Sequence, residues 1–235
     1  MKIPAPYIRR INFSMSKAVV LLSGGLDSAV TLFFAIKKGY KCHSITFDYG
    51  QRHKRELLSA RRIAKAGNSE LKVIKLILPW KGSGLLNKKI KLPLDRSTKQ
   101  IKKGIPSTYV PARNTIFLSI ATSFAEAISA SFIFIGAHFE DSSGYPDCRI
   151  EYLKAFDALI RLGTKKGLEG GLALRFPLID KTKKEIIRLG ALLKVPFQFT
   201  WSCYKGGDRP CMRCDSCILR AKGFRELGLK DPLVG

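Results

Sequence analysis

Six consecutive residues, Ser23-Gly24-Gly25-Leu26-Asp27-Ser28, put two hydroxyls, two glycines and a carboxylate into one short stretch. The apolar run Ala18-Val19-Val20-Leu21-Leu22 before them reads as a buried strand. Ala29 to Lys38, apolar at Val30, Leu32, Phe33, Phe34 and Ile36, reads as a helix. A strand, a two-glycine turn and a helix opening on Ser28 make a phosphate cradle. The glycines let the backbone approach an anion, and the free N–H groups of the helix's first turn point at it. No lysine follows the glycines, so the Walker pattern G-x-x-x-x-G-K-[ST] is excluded. Asp27 is placed to bind Mg²⁺ or to order the loop.

A second cluster offers metal chemistry. Cys203, Cys211, Cys214 and Cys217 follow C-x7-C-x2-C-x2-C. Thiolates two residues apart can wrap one ion, and Gly206-Gly207 supplies the flexible return that brings in Cys203. Zinc held by four thiolates has no open position, so its role is structural; iron–sulfur ligation is the alternative reading. Cys148 reads as a small packed residue.

The elements that must hold these motifs alternate between strand and helix. Cys42–Phe47, Leu71–Leu78, Phe132–Gly136 and Leu172–Phe176 read as further strands. Lys54–Ala66, Arg113–Ser129, Ile150–Leu162 and Lys183–Leu193 read as helices. The order argues for an open parallel sheet with helices on both faces, Rossmann-like in class, followed by a small four-cysteine knuckle. Ligands of such sheets sit beyond the carboxyl ends of the strands, and every unusual motif before the cysteines follows a strand. The expected division is a basic tail over 1–16, an α/β domain over 17–200 and a metal-binding segment over 201–235.

With 235 residues, 46% of them hydrophobic, the chain can bury one full core. It has no uninterrupted apolar run long enough to span a bilayer, and residues 1–16 lack the apolar centre of a secretory signal. That stretch reads as a loose tail or an upstream start codon, with a transit peptide as the alternative. A cytoplasmic location is expected. The formal net charge of +24 permits nucleic-acid binding through phosphate contacts. However, the charge is spread over Lys54–Lys65, Lys72–Lys103 and Arg161–Arg188, which favours a general surface bias.

The Ser23–Ser28 loop resembles the pyrophosphate loop of ATP pyrophosphatases, which split ATP into AMP and pyrophosphate. Four more stretches narrow the resemblance. They are Phe47-Asp48-Tyr49-Gly50-Gln51-Arg52-His53, Tyr109-Val110-Pro111-Ala112-Arg113-Asn114, Asp141-Ser142-Ser143-Gly144-Tyr145-Pro146-Asp147-Cys148-Arg149 and Trp201-Ser202-Cys203-Tyr204. In this order, over about Lys17 to Gly228, they resemble the 7-cyano-7-deazaguanine synthase family of the queuosine pathway. Met212 departs from the family, which tends to have glycine after the second metal cysteine.

The resemblance implies an ATP-dependent carbon–nitrogen ligase that joins ammonia to 7-carboxy-7-deazaguanine and forms the nitrile. It implies a pyrophosphate site of Ser23, Gly24, Gly25, Leu26, Asp27 and Ser28, with Leu22 and Thr46-Phe47-Asp48 bordering adenine and ribose. Arg113, at a helix start, can neutralise charge as pyrophosphate leaves or is a surface helix residue; Lys183 matches a family lysine and either reaches a phosphate or is simply solvated. The donor-rich edge of a deazaguanine calls for a carboxylate and a stacking ring. Asp147 and Tyr145 fit, with Asp141 a second acid and Arg149 beside them. These residues also suit an ordinary turn. His53 reads equally as a proton relay or as a structural histidine. A homodimer is expected, and no membrane partner. Two rivals stay open: a tRNA-modifying ATP pyrophosphatase of thiolation or lysidine type, and a non-catalytic zinc-knuckle RNA-binding module.

Overall fold

Period-two alternation decides which way each strand faces. In β1 (Lys17–Leu21), Val19 and Leu21 enter one apolar cluster, and Ala18 and Val20 enter another. In β4 (Phe132–Phe134), Ile133 and Phe134 divide in the same way. A strand apolar on both sides must be covered on both sides. The computed structural model, which describes residues 16–101, 103–138 and 144–234, shows this arrangement. Apart from Ser16, the basic tail lies outside the described residues.

Five parallel strands run in the order β3-β2-β1-β4-β5, with β2 at Lys41–Asp48, β3 at Glu70–Lys75 and β5 at Ala173–Arg175. One face is covered by α4 (Arg113–Ala127) and α5 (Ile150–Gly163), through Leu118, Ala121, Leu153, Phe156 and Ile160. The other is covered by α1 (Leu26–Lys37), α2 (Arg55–Ala66), α7 (Lys183–Leu192) and α8 (Asp215–Arg225). Two short helices, α3 (Thr98–Ile101) and α6 (Lys165–Leu168), lie in connections. None of the described helices is long and apolar enough to cross a membrane.

Boundaries differ from the sequence expectation in two useful places. The first helix begins at Leu26, so Asp27 and Ser28 lie within its first turn and Gly25 is the N-cap. β3 stops at Lys75 because β2, its only partner, ends opposite at Asp48.

The lysine-rich excursion after β3 is tied to the rest of the fold. The Arg52 guanidinium donates to the carbonyls of Gly84 and Lys88. Arg96 pairs with Asp215, and Arg213 with Asp95, while Leu94 forms an antiparallel bridge with Cys214. The carboxyl-terminal segment is anchored in turn by Arg220. Its guanidinium donates to both carboxylate oxygens of Asp231 (2.6 and 2.8 Å), to Thr200 Oγ1 (2.6 Å) and to the Phe197 carbonyl (3.3 Å).

Both partners of that ion pair are largely buried, so removing one strands the other. Arg220→Met is expected to lower stability by about 3–5 kcal/mol in chemical denaturation. The double variant Arg220→Met/Asp231→Leu should recover most of the loss, since it leaves no unpaired charge. A single-variant loss under about 1 kcal/mol would contradict this role.

Candidate active site

The strand order reverses beside β1: the chain first builds β2 and β3 on one side, then crosses to β4 and β5 on the other. A crevice opens at such a point, beyond the carboxyl ends of the strands. A cavity of about 220 Å³ occupies it. Its floor is the end of β1 and its loop (Leu21 to Ser23, Gly25, Asp27, Ser28). Thr46, Phe47, Tyr49 and Gln51 form one side, and Ile135, Gly136 and Ala137 another.

The loop is braced by its own hydroxyls. Ser23 Oγ accepts from the Gly25 N–H at 3.2 Å and lies 3.0 Å from Ser28 Oγ, and Ser28 donates to the Gly25 carbonyl at 3.0 Å. Gly24 has φ +91, and a Cβ there would lie 2.3 Å from the Glu56 carbonyl oxygen, so only glycine lets α2 pack this closely. No side chain caps α1, whereas α7 carries a full Thr182/Glu185 capping box. The first-turn N–H groups of α1 are therefore left for an anion.

Asp27 is held from a distance. Lys183 Nζ donates to Asp27 Oδ1 at 2.7 Å and to His138 Nε2 at 2.9 Å; an ammonium has no lone pair, so the imidazole accepts. His138 is fully buried, 3.6 Å from the Asp27 carboxylate. Burial alone would raise the Asp27 carboxyl, but the Lys183 ammonium holds it below the usual value, so it is ionised. His138 escaped the sequence reading, although its position just after a strand at the sheet's turning point is a usable signal.

Arg113 enters from the first turn of α4. It lies over the rings of Tyr49 and Phe117 and donates to Tyr49 Oη at 3.2 Å, while Phe117 stacks on Phe47 at 3.9 Å. Leu85 of the excursion, Tyr145, Cys148 and Tyr204 complete the cavity wall. Tyr145 is fixed by a 2.8 Å hydrogen bond between its hydroxyl and Thr108. Asp147 is buried (6% exposed), and its Oδ2 accepts the Asn114 N–H at 2.9 Å, capping α4 from a remote segment. Asn114 Nδ2 donates to the Asp147 carbonyl and to Cys148 Sγ. Arg149 is exposed before α5, outside the cavity wall, and Asp141 lies outside the described residues.

Across the cavity, His53 Nε2 lies 3.0 Å from Glu56 Oε1, and both residues line the wall. Burial alone would lower the His53 imidazole, but the Glu56 carboxylate outweighs it and the net shift is upward. Glu56 also escaped the sequence reading, although His-x-x-Glu at a helix start brings the two onto one face.

The four cysteines converge. Their sulfurs all lie within 4.8 Å of one another, and Cys203, Cys214 and Cys217 are buried around Trp201. Four soft donors at this spacing fit a zinc ion. Trp201 ties the knuckle to the loop, its N–H donating to the Gly24 carbonyl at 2.9 Å.

The model of the family described as queuosine biosynthesis protein QueC matches residues 17–228. The chain belongs to this family. It is 52% identical over 217 residues to the 7-cyano-7-deazaguanine synthase of Thermoplasma acidophilum, covering 92% of this chain and 91% of that one. It is also 52% identical over 221 residues to the enzyme of that name from Trichodesmium erythraeum, covering 93% of this chain and all of its relative. Among solved structures it is similar to the NMN synthetase from Francisella tularensis, with a TM-score of 0.49 and 15% identity over 94% of this chain and 76% of that one.

Lys183→Met would leave the Asp27 carboxylate partly buried without its cation. Wild-type Asp27, its pKa lowered, contributes stability above the ordinary carboxylate pKa and loses it on acidification. In the variant the carboxyl is raised instead, so the deficit is largest near neutrality and shrinks on acidification as Asp27 protonates. Melting curves from pH 7 to about pH 4 are expected to show a loss of about 1.5–3 kcal/mol that fades with acid. A pH-independent loss would contradict the assignment.

Proposed function

We propose that the chain is an ATP-dependent carbon–nitrogen ligase that converts 7-carboxy-7-deazaguanine and ammonia to 7-cyano-7-deazaguanine. The observation that carries this reading is a single cavity bounded by both the anion loop and a ring-lined wall, in a chain of this family. A carboxylate repels nucleophiles, so it must first be activated. Transfer of AMP onto it gives an acyl-adenylate, and ammonia displaces AMP to give the amide. A second adenylation, on the amide oxygen, lets that oxygen depart and leaves the nitrile. One loop and one nucleotide pocket serve both rounds.

In this reading Ser23, Gly24, Gly25, Leu26 and Ser28 hold the pyrophosphate through the uncapped start of α1, with Leu22 and the β2 end beside the adenosine. Arg113 stabilises the charge that develops on the leaving groups. Asp27, Lys183 and His138 fix the loop, and Asp27, within it, would hold Mg²⁺, which would neutralise phosphate charge. Tyr145 stacks on the deazaguanine. Asp147 holds the start of α4 in register with that wall, and Asp141 is the remaining candidate acid for the polar edge of the base, with Arg149 outside the cavity wall. The knuckle, over 201–235, holds one structural zinc and supports the 17–200 domain. The enzyme acts as a homodimer in the cytoplasm. The basic surface is not needed for turnover of a free base.

Mass spectrometry after incubation with 7-carboxy-7-deazaguanine, ammonium and Mg-ATP is expected to show the nitrile, with AMP and pyrophosphate released. ADP as the main nucleotide product would rule out the pyrophosphatase chemistry. Activity confined to a tRNA acceptor would favour the tRNA-modifying alternative. Asp27→Ala should abolish AMP release while the protein stays folded; near-normal release would remove Asp27 from the machinery.

Elemental analysis should give one zinc per chain. Cys214→Ser should lower stability and solubility before it changes the chemistry, because metal binding is coupled to folding of the segment. Iron with a visible charge-transfer band would replace zinc by a cluster.

A further inference from the structure

Buried polar groups in folded proteins are almost always hydrogen-bonded, so the exceptions point to something. Among the described residues three buried side-chain nitrogens lack a partner: His43 Nε2, His53 Nδ1 and Arg113 Nε. Two of the three belong to residues that line the same cavity. Their chemistry is complementary. Arg113 Nε can only donate, so it calls for an oxygen on the ligand. His53 is oriented by Glu56, whose carboxylate oxygen accepts from Nε2. In the neutral imidazole the ring proton therefore sits on Nε2, and Nδ1 presents a lone pair. A ligand that satisfies the cavity brings an acceptor to Arg113 Nε and an N–H to His53 Nδ1.

The position of His53 is fixed by packing rather than by a mobile side chain. It is 2% exposed, between β2 and α2. The start of α2 lies against the phosphate loop, because the Glu56 carbonyl occupies the space a Cβ on Gly24 would need. From the other side the knuckle's return covers it: Gly206, at φ +74, would place a Cβ 2.9 Å from His53 Cα. Water is thus kept from the imidazole except through the cavity. A relayed proton needs such a group, and so does a small nucleophile that must be held without being hydrated.

We infer that His53 Nδ1, with Glu56 behind it, forms the ammonia subsite of this enzyme and receives the proton released when ammonia attacks. This rests on the ligase reading above. Ammonia donates an N–H to Nδ1, which leaves its own lone pair directed into the cavity. The carbon–nitrogen bond forms from that lone pair. The carbon–oxygen bond to the phosphoryl group breaks, and its electrons leave on AMP. One N–H proton passes to Nδ1, and Glu56 balances the imidazolium through Nε2–H until the proton returns to solvent. The product is the amide, with no oxidant or reductant required.

The test separates adenylation from ammonia attack. Pyrophosphate exchange into ATP, measured with 7-carboxy-7-deazaguanine and no ammonium, reads the first step; ammonium-dependent amide and nitrile formation reads the second. His53→Gln keeps an amide near Nε2 but removes the Nδ1 acceptor. It is expected to hold exchange within about twofold of wild type, while ammonium-dependent turnover at low ammonium falls by about a hundredfold or more. His53→Asn places an amide oxygen near Nδ1. It should restore the KM for ammonium more than the kcat, since it accepts a hydrogen bond but takes no proton. Glu56→Gln should fall between wild type and His53→Gln. Zinc content and the thermal midpoint, measured on each variant, verify that the fold is kept.

A His53→Gln enzyme with wild-type ammonium KM and kcat would overturn the proposal. So would loss of exchange in a folded His53→Gln and His53→Asn pair, because the residue would then act before ammonia enters. If the wild-type enzyme performs exchange but gives neither amide nor nitrile with ammonium, the ligase reading itself fails, and this is seen before any variant is compared.

Discussion

The proposed phosphate loop must be rigid while leaving its helix-start N–H groups free for an anion, and much of this protein meets that requirement. The usual way to stiffen a helix start is a side-chain cap, which would consume the donors an anion needs. Here α1 has no side-chain cap; the Ser23 and Ser28 hydroxyls brace the turn, and further stiffness comes from outside it. The Glu56 carbonyl of α2 packs against Gly24, Trp201 donates to the Gly24 carbonyl, and Lys183 reaches across from α7 to the Asp27 carboxylate. Three elements distant in sequence thus converge on a turn that remains open toward the cavity.

The same constraint explains why a cysteine knuckle belongs to an α/β domain. Trp201 is buried among Cys203, Cys214 and Cys217, so the segment that steadies Gly24 is itself shaped by the thiolate cluster. Arg220 fastens the following helix to Thr200 and Asp231, and Arg96 and Arg213 tie the lysine-rich excursion to the knuckle's rim. Leu85 of that excursion is part of the cavity wall. A metal bound by the four cysteines is therefore linked mechanically to two sides of the cavity, although it need not touch a substrate. Part of the net charge of +24 has a structural use here, as arginines that clasp scarce carboxylates and backbone carbonyls.

The cavity is bipolar. The α1 N-terminus and Arg113 favour negative charge, and the His53–Glu56 pair, in the same cavity wall, offers an acceptor. Tyr49, Phe47 and Phe117 form an apolar platform between them. Such a site can hold an anion and a nitrogen nucleophile together, oriented toward one another.

Local pattern made the strands, the helices and the open parallel sheet legible in the sequence, because period-two and helical spacing are consequences of burial along a single element. The loop and the cysteine cluster were legible too, since their chemistry lies in residues close together in the chain. What sequence could not decide is which distant groups meet. Asp147 and Arg149 are two residues apart in sequence, and Asp147 is 33 positions from Asn114, yet folding turns the Asp147 carboxylate toward the Asn114 N–H and leaves Arg149 exposed. Lys183 meets Asp27 across 156 positions, with the fully buried His138 between them. Those contacts follow from the order in which β1, β4 and α7 are laid side by side, which is a property of the tertiary structure. The sequence by itself determined the kinds of groups available and the strand ends they follow; the packing of helices on the sheet decided which of those groups face the cavity and which hold them there.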